Sequence, residues 1–219
     1  MTESSGWLRG VEGVLSGPDL TLTVERLAEW QLSDGMMPWY PGGHADPWNH
    51  VEALMALMLD GRKAEAEAGF AWLERLQHAD GSWHQYYLAG GEVEEAKFDA
   101  NCIAYVAAGL YHHWLLFEDR SFLDANWGML SGAVDFVRGL QTDRGEVFWA
   151  RKPDGTPFEF ALLTGSSSIT HSLRCAVAVA EVLGKERPEW VRSAQALGRV
   201  IRDEPEAFAP KHRWAMDWY

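Results

Sequence analysis

This chain of 219 residues has only two cysteines, Cys102 and Cys175, far apart in sequence. That fits a protein kept reduced better than a disulfide framework, with one bridge as the alternative. It has no run of Lys or Arg, and its formal charge is -13. Both argue against a phosphate-tracking surface or a polybasic membrane patch, and nucleic acid is not an expected partner. No stretch approaches the roughly 18 apolar residues that a membrane span requires. The opening MTESSGWLRGVEG also lacks the basic start and apolar centre of a secretory leader. These absences predict a cytoplasmic protein with no membrane span. What is present is globular: 47% of residues are hydrophobic and 23% charged, a composition that suits one well-buried domain. We read residues 1–18 as an N-terminal segment and 19–219 as that domain.

Within it one phrase recurs: VERLAEWQLSDGMMPW from Val24, FAWLERLQHADGSW from Phe70 and AVDFVRGLQTDRGEVFW from Ala133. Each has an amphipathic stretch ending in Gln, then Asp, Gly and Trp. The key residues are Gln31, Asp34, Gly35 and Trp39; Gln77, Asp80, Gly81 and Trp83; and Gln141, Asp143, Gly145 and Trp149. A fixed recurrence of one supersecondary unit decides an architecture.

Before each phrase the apolar residues have helical spacing on one face, as with Phe70, Leu73 and Leu76. After it comes a helix that starts polar and becomes apolar nearly all round: from Asp46, from Phe98 and from Ser166. One-faced helices lie outside and apolar ones inside. The pattern predicts outer helices near 19–32, 62–77, 120–141 and 188–203, and inner helices near 47–60, 99–117 and 167–183. Asp46 with Pro47 forms a cap and first turn, and Ser166 to Ser168 can cap the third inner helix. Pro153-Asp154-Gly155 marks a turn in a small β-hairpin between Glu146 and Leu163. The fold class is all-α, an α/α-toroid of antiparallel helix hairpins, about three and a half of them. The chain ends in KHRWAMDWY, which resembles a loop leading into a fourth inner helix. The expectation is an incomplete ring, truncated at its C-terminus or closed by a second copy in a homo-oligomer.

At these Gln-Gly-Trp repeats the chain resembles the α/α-toroid proteins of the terpenoid cyclase and protein prenyltransferase superfamily. FAWLERLQHADGSW is the most similar segment, and the pattern runs over about residues 20–203. In that superfamily the Gln ties one helix end to the next and the Trp stacks over it. The resemblance implies an isoprenoid or similar apolar substrate in a central aromatic-lined cavity, handled by a transferase or lyase. The Asp-x-Asp-Asp acid motif of class II cyclases is absent. Where prenyltransferases ligate zinc through Asp-x-Cys and a later His, this chain has Asp99-Ala100-Asn101-Cys102, with a different spacing. A second block, YHHWLLFEDRSFLDANWGMLSGAVDFV from Tyr111, resembles the hairpins of six-hairpin glycosidases, the (α/α)6 barrels that process carbohydrates. It implies hydrolysis by paired carboxylates. A third reading is a non-catalytic toroid scaffold. The first reading is preferred here.

In α/α-barrels the loops entering the inner helices line the mouth of the cavity. Asp46 and Asp99 are candidates for a general acid and base pair, since partly buried carboxylates can hold different protonation states. The same positions suit plain N-caps. His50 and His171, near inner-helix starts, are candidates for proton transfer, or else hydrogen-bonded core residues. His44, Trp48, Asn49, Glu52, Trp83, Asn101, Ser168 and Arg174 complete a substrate-binding set. TGSSSITHS, Thr164 to Ser172, can hold an anion at a helix N-terminus or simply cap it. His50 or His171 with Cys102 and Asp99 has zinc-ligand chemistry but no ligand spacing. No metal site or cofactor is assigned, and zinc and magnesium stay open. The 12 Trp and 6 Tyr, Trp39, Tyr86, Trp149, Trp214 and Trp218 among them, fit a carbocation or a sugar face equally well.

Overall fold

The structure is a computed structural model describing residues 10–209, so the closing motif Lys211 to Tyr219 lies outside the described residues. The helices are α1 (Gly17–Trp30), α2 (Pro47–Leu59), α3 (Lys63–Leu76), α4 (Ala100–Ala104), α5 (Val106–Phe117), α6 (Arg120–Ala125), α7 (Trp127–Arg138), α8 (Leu163–Leu183) and α9 (Pro188–Asp203). Four short strands lie in the loops: β1 (Tyr86–Tyr87) pairs with β2 (Val93–Glu95), and β3 (Phe98–Asp99) with β4 (Ala150–Arg151), both antiparallel. The chain is an all-α toroid in two layers. The inner layer runs α2, α4–α5, α8, and the outer layer holds α1, α3, α6–α7 and α9. No helix among the described residues is long and apolar enough to cross a membrane.

Three details differ from the sequence expectation. The inner helix expected over 99–117 is marked off at Tyr105, whose φ of -69° and ψ of -18° remain helical. The outer helix expected over 120–141 divides at Asn126 and ends at Arg138. The third begins at Leu163, with Leu162 extended and giving no side-chain cap, so Ser166 to Ser168 are helix body rather than cap. Their hydroxyl chemistry turns inward on the helix: Ser167 Oγ donates to the Leu163 carbonyl and Thr170 Oγ1 to that of Ser166. The expected hairpin after Glu146 is present, with Lys152 N–H bonded to the Thr156 carbonyl around Pro153-Asp154-Gly155. The β1–β2 hairpin had no sequence signal that we read.

The recurring phrase is a set of three forward clamps. Gln31 Nε2 donates to the carbonyls of Gly35 and Glu65, Gln77 Nε2 to those of Gly81 and Met129, and Gln141 Nε2 to those of Gly145 and Ser193. Each amide spends one hydrogen on its own turn and the other on the next outer helix, not on the end of its own helix. The glycines make this approach possible. Gly35 and Gly81 have φ of +96° and +87°, and a Cβ there would fall 2.1 Å from the Ala68 carbonyl oxygen and 2.0 Å from that of Gly132.

The tryptophans divide differently. Trp83 is buried, and its Nε1 donates to the Leu73 carbonyl at 2.8 Å. Counted from the glycine, its equivalents are buried Met37 and Val147. Trp39 and Trp149 stand two places later, in register with Gln85. The buried side of the refrain is therefore Trp83, Met37 and Val147, while Trp39, Gln85 and Trp149 belong to the loops leading to the inner helices.

Candidate functional site

Asp46 and Asp99 are the N-caps of α2 and α4. Asp46 is 1% exposed, and its carboxylate accepts four hydrogen bonds. Oδ1 takes the amides of Trp48 and Asn49 at 2.8 and 2.9 Å, and Oδ2 takes Asn49 Nδ2 at 2.8 Å and Trp39 Nε1 at 2.5 Å. Asp99 is held more loosely: Oδ1 accepts the amides of Asn101 and Cys102, at 2.9 and 3.2 Å. Burial pushes its carboxyl above the usual range, against the opposing pull of those amides, of Lys97 and of the Trp149 side chain.

These residues meet. The Cys102 thiol is pushed up, first by burial and then by the negative charges of Asp99 and Asp46, which both reach it. Gln85 Nε2 donates to its Sγ at 3.7 Å. Tyr86 is raised by burial and then by Asp46. Lys97 Nζ sits 4.4 Å above the Trp149 ring and 3.3 Å from Glu95. Behind this mouth Tyr105 donates to Glu52, and its ring lies 5.3 Å from that of Trp48. Tyr105 is raised by burial and by Glu52, and it also feels Cys175 of α8. Ser168 lies in the body of α8, and no hydrogen bond among the described residues joins it to this group.

The described mouth thus gathers His44, Asp46, Trp48, Asn49, Asp99 and Asn101, with Glu52 one turn deeper. His171, exposed on α8, has Nε2 at 3.5 Å from Cys175 Sγ. His50 and Trp83 lie elsewhere, in the core. Met37 N–H donates to His50 Nδ1 at 3.1 Å, and Nε2 donates to the Gly69 carbonyl at 3.0 Å. Fully buried, it brackets the first turn against α3 and has no nitrogen left for a substrate. Arg174 leans outward, its guanidinium 3.9 Å from where a Cβ on Gly198 of α9 would stand. It supplies no cationic rim. Among the described residues no three His, Cys, Asp or Glu side chains cluster as a metal cage. A groove of about 440 Å³ between the end of α8 and the start of α9, lined by Val177, Glu181 and Arg187, lies at the opposite end from this chemistry.

Burial lowers the His50 pKa from 6.5 to about 4. The unfolded chain binds this proton before the folded one does. The stability that His50 contributes is thus complete above pH 6.5 and declines as pH falls toward about 4. The loss by the acid end is roughly 3 kcal/mol. Chemical denaturation from pH 7 to 4 should show it, with the His50 ring signals in NMR remaining those of a neutral imidazole at pH 5.5.

Sequence reasoning missed Gln85, Glu94 and Lys97 here. Gln85 was legible, since it occupies the place of Trp39 and Trp149 counted from the glycine. Glu94 and Lys97 depend on the β1–β2 hairpin and had no local signal.

Four atoms at the mouth are buried and have no hydrogen-bond partner: His44 Nε2, Trp48 Nε1, Gln85 Oε1 and Asn101 Oδ1, while Trp149 Nε1 lies against the Asp99 carboxylate. Such atoms are costly unless something else completes them.

No protein-family model matches the chain. It is 45% identical over 210 residues to an "MMP endo-(1,4)-3-O-methyl-alpha-D-mannosidase" of Mycolicibacterium hassiacum, covering 96% of this chain and 58% of that protein. Among solved structures, a family 76 glycoside hydrolase from a bovine Bacteroides thetaiotaomicron strain superposes with a TM-score of 0.59 at 9% identity, covering 91% of this chain and 46% of that one. A D-mannose isomerase superposes equally well, with a TM-score of 0.59 at 12% identity over 87% of this chain and 52% of that one. The chain thus spans about half the length of the proteins it matches, and it has the glycosidase-like α/α-toroid fold. The preference for an isoprenoid-handling transferase or lyase is overturned by these matches. The Gln-Gly clamps that suggested it are architectural, and the second resemblance, carried by the block from Tyr111, is the one supported.

Proposed function

We propose that this chain is carbohydrate-active and takes part in hydrolysing an α-(1,4)-linked mannoside, with 3-O-methylated mannose as the favoured unit. The carrying observation is the set of four buried, unpartnered polar atoms beside two carboxylates. They include both donors and acceptors, and sugar hydroxyls both donate and accept. The substrate comes from the mannosidase relative. In this reading Asp99, its pKa raised by burial, gives a proton to the glycosidic oxygen as the bond to the anomeric carbon breaks. Asp46, its carboxyl ringed by four donors, stabilises the positive charge developing there, and Asp99 recovers its proton from the water that attacks. The free thiols of Cys102 and Cys175 suit a reducing compartment, so we place the activity in the cytoplasm.

The direct test is incubation of the full chain with a (1,4)-linked 3-O-methylmannose oligosaccharide, following new reducing ends. Their release supports the reading, and a chain that neither binds nor cleaves the glycan overturns it. One observation favours a binding module instead: Asp46 already has four donors around it, a complete set for a helix cap. Binding without cleavage would establish that second reading.

A further inference from the structure

Beside Asp46 lies a second grouping that catalysis does not need. His44 Nδ1 is 2.6 Å from Glu94 Oε2, a contact from the loop before α2 to strand β2. A carboxylate can only accept here, so Nδ1 carries the proton, and in the neutral ring Nε2 is an acceptor. That Nε2 is buried and unpartnered. The His44 ring stacks on Tyr86 with centroids 4.3 Å apart and meets the edge of Trp39 at 4.8 Å. Trp39 is tied to Asp46 through Nε1, so its ring is fixed, yet it is 43% exposed. Tyr40 is 56% exposed and folds back on Gly43, where a Cβ would stand 2.8 Å from its ring. Large aromatic faces held rigid and open, next to one orphan acceptor, are what a pyranose requires: ring C–H groups for the π faces and a hydroxyl for the nitrogen. The nearby charges of Asp46 and Glu94 are negative, which disfavours a uronate or phosphorylated sugar.

We propose that His44, oriented by Glu94 and flanked by Trp39, Tyr40 and Tyr86, forms a sugar-binding subsite next to Asp46. It takes a neutral pyranose stacked on the aromatic faces, with one hydroxyl donating to Nε2. This rests on the glycosidase reading above and extends it to a residue that binds rather than reacts. Glu94 is a positioning residue that acts through the tautomer of His44.

The test uses the full chain and a (1,4)-linked α-mannotetraose with 3-O-methyl groups. His44→Ala is expected to raise KM about tenfold, a larger change than its effect on kcat, and Glu94→Gln to raise it about threefold. His44→Gln, whose amide oxygen can replace the acceptor, should recover part of the loss. Binding measured by calorimetry in an Asp99→Asn background should weaken by the same factors. In wild type, nitrogen NMR should report the Nδ1–H form of His44, and Glu94→Gln should mix the tautomers. A purely structural role for His44 would lower thermal stability and leave KM unmoved. An unchanged KM in His44→Ala and Glu94→Gln, with cleavage intact, overturns the subsite alone. If wild type neither binds nor cleaves the oligosaccharide, the glycosidase reading and the subsite fall together.

Discussion

Asp99→Asn is expected to lower the rate of mannoside cleavage by a factor of about 10² to 10⁴, the usual contribution of a positioned proton donor. The substitution is chosen because it separates two roles of one side chain. Asn is as good an N-cap as Asp, so the bonds from the Asn101 and Cys102 amides to Oδ1 can be kept by the amide oxygen. What disappears is the ionisable carboxyl, whose pKa burial raises. Initial rates and circular dichroism on the same preparation check both halves. Full activity in a folded Asp99→Asn protein would remove Asp99 from the chemistry and leave it as a cap. The wild-type rate should also fall as pH rises through the elevated pKa of Asp99, because the deprotonated form has no proton to give. That limb should be missing in the variant.

Gly81→Ala is expected to have the largest effect on stability. Its φ is +87°, where an L side chain is strained, and the added Cβ would lie 2.0 Å from the carbonyl oxygen of Gly132 and 2.2 Å from its carbon. Both contacts are backbone, so no side chain can swing aside. The turn must part from α7, stretching the Gln77 bond to the Met129 carbonyl. A cost of about 4 kcal/mol is at the extreme of single substitutions and corresponds to a fall of roughly 8 to 16 °C in Tm for a chain of this length. Differential scanning calorimetry would measure it. The same change at Gly155, where φ is +90° but nothing lies within 4 Å, should cost much less. A similar fall at both sites would attribute the effect to backbone strain and not to the clamp.

These two residues also mark what the sequence could and could not show. The architecture was legible because a helix must show its buried face every three or four residues, and because Gln77 and Gly81 have counterparts that do the same work. The offset from each glycine already set Trp83 apart from Trp39 and Trp149. What spacing could not tell was which of the two offsets is buried, and the structure gives that place to Trp83. Substrate class was less legible still. The two resemblances rest on different segments, the Gln-Gly repeats and the block from Tyr111, and the residues that meet at the mouth lie in short loops such as Tyr86 to Lys97, whose partners come from distant positions. His50 shows a different limit. Its place at a helix start suited either proton transfer or a hydrogen-bonded core residue, and the bonds from the Met37 amide and to the Gly69 carbonyl decide for the core.

The three clamps point one way, each from one repeat to its successor, so the chain is a row of nearest neighbours and not a uniformly tied body. In such a row each interface can open with its own free energy. Amide hydrogen exchange should then resolve hairpin-sized units with separate protection. A glycan touching the loops before α2 and α4 at once would bridge two of those units. Ligand would merge their exchange into a single slower class, a cooperativity that the polypeptide alone does not possess.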